Sequence, residues 1–117
     1  MARNKNMPET KGERKEYLRL CRIYKSLPPN QFAVAKGLIR QAARLKDRLD
    51  ALWIDLQENG ETEMFSQSAN TEPYERERPA SRTFTATDKS YQSILKQLND
   101  LCPAAAQKDA LDDFKKL

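Results

Sequence analysis

The sequence predicts an all-α fold, a long antiparallel helical hairpin with a third packing helix. Apolar residues recur three and four positions apart in three stretches of the chain, which is the pattern of helices with one apolar face. Prolines and glycines separate these stretches. Only 38% of the residues are hydrophobic, below the usual share for a compact globule. A large core private to one chain is therefore not expected.

The first helix is predicted over 13–26, after a flexible basic arm formed by residues 1–12. The arm has no apolar periodicity, whereas Tyr17 and Leu20 begin a helical apolar face. The Pro28-Pro29 pair ends the helix, because proline lacks an amide donor and displaces the preceding residue from helical geometry.

The second helix is predicted over 31–58, with Asn30 as its N-cap and Asn59-Gly60 at its end. Its apolar stripe is about twice as long as the first helix can cover. A further helix of this chain, or another subunit, must therefore cover the remainder.

A polar, irregular loop is predicted over 59–79 and a third helix over 80–101. The weak helix formers in the opening turns of that helix allow a later start at Asp88, with Thr87 as its cap. Residues 102–117 are expected to form a C-terminal tail or a short helix.

Charge is distributed unevenly along the chain. Residues 1–48 hold 13 Lys and Arg against four acids, and residues 49–117 hold 8 against 13. Such a division favours a polyanion-binding end joined to a protein-binding end, or two ends that attract each other in an assembly. The main alternative is a solvated face with Asp47 and Asp50 as local partners. The residues predicted to contact DNA phosphates, with Arg40 and Arg44 as first choices, are Arg14, Lys15, Arg19, Arg22, Lys36, Arg40, Arg44 and Arg48.

Self-association is predicted from the apolar stripe that the first helix leaves uncovered. Trp53 also fits a core position, given its place in that stripe. The residues assigned to subunit contact are Trp53, Leu56, Leu98 and Leu101.

Several functional classes lose support from the composition. Histidine is absent, the two cysteines Cys21 and Cys102 have no metal-ligand spacing, and three glycines cannot supply a phosphate-binding loop. We therefore expect no catalytic residue, no metal and no cofactor. A carboxylate-metal hydrolase remains an alternative, built on Asp50, Asp55, Glu58, Glu61 and Glu63.

No apolar run reaches the roughly 20 residues that cross a bilayer, and the first seven residues do not form a secretory signal. The expectation is a soluble cytoplasmic protein without a membrane partner.

Four sequence segments follow one another in an order that resembles a known family. They are YKSLPPNQ, LWIDLQENGETE, ERERP and KSYQSILKQLNDLCP. Over about residues 17–103 the chain resembles the short terminase small subunits of phages and prophages of Gram-positive bacteria. The most specific pieces are Asn59-Gly60 with Thr62-Glu63, and Tyr91, Ile94, Lys96, Gln97, Leu98, Leu101 and Pro103.

The resemblance implies a DNA-packaging component without catalysis. Such a protein is a helical, ring-forming protomer that recognises double-stranded viral DNA in the host cytoplasm and delivers it to the large terminase subunit, which carries the ATPase and nuclease. Residues 13–101 would then be the DNA-binding and oligomerisation domain. Two alternatives stay open, a small phage or prophage helix-turn-helix regulator and a structural adaptor without a nucleic-acid role.

Overall fold

The computed structural model describes residues 9–101. Within this range the fold is mostly helical and carries a small antiparallel two-stranded sheet, so the all-α expectation needs that correction. The first eight residues of the predicted arm and the predicted tail 102–117 lie outside the described residues. No helix in the described range has the length and apolarity needed to cross a membrane. The elements are α1 Lys11–Ile23, α2 Pro29–Asn59, β1 Thr62–Phe65, β2 Tyr74–Glu77 and α3 Pro79–Asp100.

Helix α1 begins and ends earlier than predicted. The side chain of Thr10 accepts a hydrogen bond of 3.0 Å from the backbone amide of Glu13, which satisfies one of the free donors of the first turn. The helix ends at Ile23, and a turn follows in which the Leu27 amide donates to the Tyr24 carbonyl at 3.1 Å. The last residues assigned to the flexible arm therefore belong to the folded domain.

Helix α2 starts at Pro29, because proline fits the first helical turn, where its missing amide would have no partner. Asn30 is not the N-cap, since its side chain accepts from the adjacent Gln31 amide. The predicted end is confirmed at Asn59, where Gly60 takes a φ of 82° and donates to the Leu56 carbonyl at 2.8 Å. Its 31 residues span about 46 Å.

Helix α3 supplies the cover that α2 needs. Helices α1 and α3 both pack on α2, and α1 lies on its first half, where the main core forms. The Tyr24 hydroxyl donates to Asn99 at 2.7 Å, which joins the end of α1 to the end of α3. The start of α3 is at Pro79 and not at Asp88. The buried residues of the main core are Leu20, Ile23, Tyr24, Leu27, Ala35, Ile39, Ala42, Ile94 and Leu98.

A β-hairpin stands where the sequence predicts an irregular loop. Phe65 pairs with Tyr74 and Glu63 with Arg76 in the antiparallel register, so these four side chains share one face. The two rings meet edge to face at 5.9 Å. The Arg76 guanidinium lies 3.5 Å from the centre of the Phe65 ring and 3.0 Å from the Glu63 carboxylate. These contacts within the hairpin stabilise two strands of only four residues each.

The base of the hairpin is tied to the end of α2 by Arg78. Its guanidinium donates to the Gly60 carbonyl at 2.7 Å and to the Asp55 carboxylate at 3.1 Å. The Asn59 side chain also donates to Asp55, at 2.6 Å. Hydrogen bonds from Asn59 and Arg78 lower the pKa of Asp55 below its ordinary 3.8. The contact therefore depends on an ionised Asp55.

We expect the Asp55 carboxyl to titrate below 3.8. A carboxyl whose pKa is lowered by folding stabilises the fold above its unfolded pKa and loses that contribution as the pH falls through the folded value. Carboxyl ¹³C NMR measures the midpoint directly. The Arg78→Gln variant is expected to raise it, while Arg82→Gln, which removes an exposed arginine beside Glu77, leaves it unchanged. A wild-type midpoint at or above 3.8 contradicts the assignment.

Candidate nucleic-acid interface

The outer face of α1 carries basic residues and no acidic ones. Lys11, Lys15 and Arg22 are spaced four and seven positions apart and are exposed, and Arg14 lies one turn from Lys11. The helical period of 3.6 residues places these four on the same side. We call Lys11, Arg14, Lys15 and Arg22 the outer basic face.

Both glutamates of α1 point the other way, into the protein. Glu13 is 3% exposed and Glu16 is 8% exposed. Buried carboxylates need cationic or hydrogen-bonding partners. Glu13 finds Arg44 Nε at 3.6 Å and Arg40 at 3.8 Å. Glu16 accepts from Arg19 Nε at 3.0 Å. The acids of α1 are thus used inside the domain. Its outer side is left cationic, although Arg14 forms an ion pair of 3.7 Å with Glu9, which precedes the helix.

Arg40, a first choice for phosphate contact, is held within the protomer. It forms an ion pair of 2.7 Å with Glu9, and its guanidinium lies 3.7 Å from the centre of the Tyr17 ring. Burial alone would lower the pKa of Arg40, but the hydrogen bond and charge of Glu9 outweigh it and raise the pKa. Arg40 therefore joins α1 to α2, and its contact with a DNA phosphate stays a prediction.

The inward-facing glutamates of α1 also form ion pairs with two further residues of the predicted DNA-contact set, Arg19 and Arg44. Arg19 is partly buried against Glu16, and its contact with a DNA phosphate stays a prediction. Arg44 is half-exposed beside Glu13 and keeps part of its side chain at the surface. Of the two local partners in the solvated-face alternative, Asp47 accepts from the Thr10 hydroxyl at 2.8 Å, and Asp50 pairs with Lys46 at 2.8 Å.

The four predicted cations of α2 differ in exposure, because Arg40 is partly buried whereas Lys36, Arg44 and Arg48 are exposed. Each step of four residues rotates by about 40° around a helix axis, so Arg40 turns towards α1 while Lys36 and Arg48 remain exposed. Lys36 lies 5.2 Å from the centre of the Phe32 ring. Among residues 9–101, Arg48 has no ion-pair partner within 4.0 Å.

Lys11, which was predicted only as part of the basic arm, lies on α1, and Lys25 is also exposed. Lys11 had been placed in the flexible arm. The Thr10-x-x-Glu13 spacing is the start signal of a helix and would have located it on α1. Arg14, Lys15 and Arg22 were predicted, and the structure places them together with Lys11.

The residues predicted for subunit contact separate into two groups. Leu56 and Leu98 are buried in the core of the protomer, so their apolar character needs no second copy, and Leu101 is partly buried. Trp53 is 48% exposed, with its ring 5.8 Å from that of Phe84. Only Trp53 remains a clear candidate from that set.

The carboxylates of the hydrolase alternative do not converge. Asp50 pairs with Lys46 at 2.8 Å, Asp55 with Arg78, and Glu63 with Arg76. Residues 9–101 contain no group of three or more potential ligands that could hold a metal ion. Cys21 is half-buried with a free thiol, and Cys102 lies outside the described range.

Comparisons with protein-family models, with curated proteins and with solved structures found no match to this chain. The geometry of the outer basic face and the motif order of the sequence therefore carry the functional interpretation.

Proposed function

We propose that this chain is a terminase small subunit, a non-catalytic protein that binds double-stranded viral DNA. In this proposal copies of the chain assemble into a ring in the host cytoplasm and work with the large terminase subunit, which supplies the ATPase and nuclease.

The outer basic face of α1 is the observation that supports DNA binding most strongly. Four cations lie along about 17 Å of helix axis, and both glutamates of that helix are turned away from them. Binding of cations to DNA phosphates releases condensed counterions, which drives sequence-independent affinity. The face carries Leu18 but no aromatic side chain, so it lacks the stacking platform typical of single-strand binding.

Assembly would make this small surface sufficient, because several linked weak contacts raise the total affinity. Exposed apolar side chains at the C-terminal end of α2 support association between copies of the chain. Of the six large exposed hydrophobic residues among the described residues, four lie on the last turns of α2 or on the hairpin. These four are Trp53, Ile54, Met64 and Tyr74. Contact through this end would leave the outer basic face of each copy accessible.

The helix-turn-helix alternative fits the packing less well. A reader of that kind presents its second helix to the major groove. Here α2 is packed against α1 on one side and α3 on another, and it runs for 31 residues. The structural-adaptor alternative is distinguished by the duplex-binding experiment described next.

Duplex binding followed by fluorescence anisotropy tests the proposal. The logarithm of the binding constant is expected to fall linearly with the logarithm of salt concentration, with a slope of about −0.9 for each phosphate contacted. Absence of binding at about 50 mM salt contradicts the proposal. Retained capture of the large terminase subunit would then favour the adaptor alternative.

A further inference from the structure

We propose that the groove between α2 and α3 binds a phosphorylated ligand of nucleotide size. The ligand is either a free nucleotide or one nucleotide unit of a nucleic acid. The groove has a volume of about 610 Å³ and is lined by residues of α2 and α3. None of the residues of the outer basic face lines it, so this inference does not depend on the proposed function.

The two walls of the groove each contribute a cation. Arg44 comes from α2 and Lys89 from α3, and both are exposed. No carboxylate is among the lining residues. Arg44 also pairs with Glu13 of α1 at 3.6 Å, and an anion in the groove is attracted by both cations. The arginine fork and the lysine ammonium are the side chains that proteins use to bind phosphate.

Neutral polar groups stand beside these cations. Gln41 lines the α2 wall, and Ser90 and Ser93 line the α3 wall. The Ser90 hydroxyl donates to the Ala86 carbonyl at 3.3 Å, which leaves its oxygen as an acceptor. The amide of Gln41 has both donors and an acceptor. The walls can therefore bind phosphate oxygens as well as the hydroxyl groups of a sugar.

The floor of the groove is apolar, which indicates a ligand that has an apolar part as well as a negative charge. Leu45 and Ile94 form this floor, and both belong to or pack against the main core. The volume lies within the range of roughly 300–1,000 Å³ that is typical of small-molecule sites. A lone phosphate ion would leave most of the space and the apolar floor unused. A nucleotide uses the cations with its phosphate and the floor with its sugar or base.

Amide NMR titrations of the full chain test the site. The probes are adenosine 5′-diphosphate, inorganic pyrophosphate, unphosphorylated adenosine and a short DNA duplex. The diphosphate is expected to shift the amide signals of Gln41, Ser90 and Ser93, and adenosine alone is not. Pyrophosphate is expected to shift the same signals with lower affinity, because it lacks the groups that meet the floor.

Variants of α3 show whether the groove residues are responsible. Lys89→Gln is expected to weaken diphosphate binding about five-fold, the upper effect of one exposed ion pair. Ser93→Glu places a carboxylate in the groove lining, one helical turn from Lys89, and is expected to abolish the shifts. Lys96→Gln removes an exposed lysine on the same helix that does not line the groove, and it should leave the affinity unchanged. The spectra report directly whether each variant is folded.

The titration with duplex DNA distinguishes the two sources of the ligand, a free nucleotide and a nucleotide unit of a nucleic acid. Competition between duplex and diphosphate for the groove signals assigns the site to nucleic acid, whereas shifts with the diphosphate alone assign it to a free nucleotide. The inference is overturned if the diphosphate shifts no groove signal at about 10 mM, or if neither groove variant changes its binding. Loss of duplex binding with the diphosphate shifts retained would remove the proposed function and leave this site standing.

Discussion

Reversal of two charges on the outer basic face is expected to weaken duplex binding about a hundred-fold at low salt. The change is Lys15→Glu combined with Arg22→Glu, both exposed residues of α1. A hydrogen bond to a charged group contributes roughly 1.5–3 kcal/mol, and each 1.4 kcal/mol is a factor of about ten. The salt dependence should also become shallower by about two units of slope, since two phosphate contacts are lost.

The matched control changes the same total charge on another helix. Arg82→Glu with Lys96→Glu alters two exposed basic residues of α3 and is expected to weaken binding far less. Anisotropy titrations of both double variants against one duplex make the comparison. An equal loss in the two proteins would show that net charge alone sets the affinity, and the assignment of α1 as the contact surface would fail.

Leu20→Ala is expected to lower the free energy of unfolding by about 2–5 kcal/mol, the usual cost of removing a large side chain from a core. Leu20 is fully buried, at 0% exposure, where α1 meets α2 and α3. Small domains have only about 5–15 kcal/mol of stability, so this one change removes a large share. Urea denaturation followed by circular dichroism measures the loss.

Leu18→Ala is the matched comparison, because Leu18 lies two residues away on the same helix and is 51% exposed. Its cost is expected to stay within about 0.5 kcal/mol, as for surface substitutions generally. Similar losses in the two variants would mean that α1 does not pack with the orientation described. The outer basic face would then lose its structural basis, because the same rotation of α1 determines which residues point outward.

The three helices could be predicted because their apolar period extends over many turns. The end of α2 was also predictable, since glycine at Gly60 has the freedom to adopt the positive φ that ends a helix. The start of α1 was missed although Thr10 and Glu13 gave a capping signal. Helix existence follows from a long pattern, whereas a boundary depends on one or two hydrogen bonds.

The hairpin was missed because its strands have no buried face to leave a pattern in the sequence. Four-residue strands with exposed or half-exposed side chains lack the alternation that predicts a sheet. Contacts such as those of Arg76 with Phe65 and Glu63 join residues that the sequence places ten or more positions apart. Pairing of this kind is visible only once the register is known.

The candidate interface was predicted only in part, because the sequence does not show which charges are paired in the folded protein. Composition located the positive charge in the first half of the chain, and Arg14, Lys15 and Arg22 are indeed exposed. It did not show that Glu9 and Glu13 would engage Arg40. The sequence determines how many charges a helix carries, but the packing of the neighbouring helix determines which of them are neutralised.

The mass of the particle in solution, measured by light scattering at tens of micromolar with and without duplex DNA, tests the proposed function most directly. We predict a mass that is a multiple of the 13.5 kDa chain and that increases when duplex is added at low salt. A 13.5 kDa particle whose mass does not change with duplex would contradict both self-assembly and DNA binding.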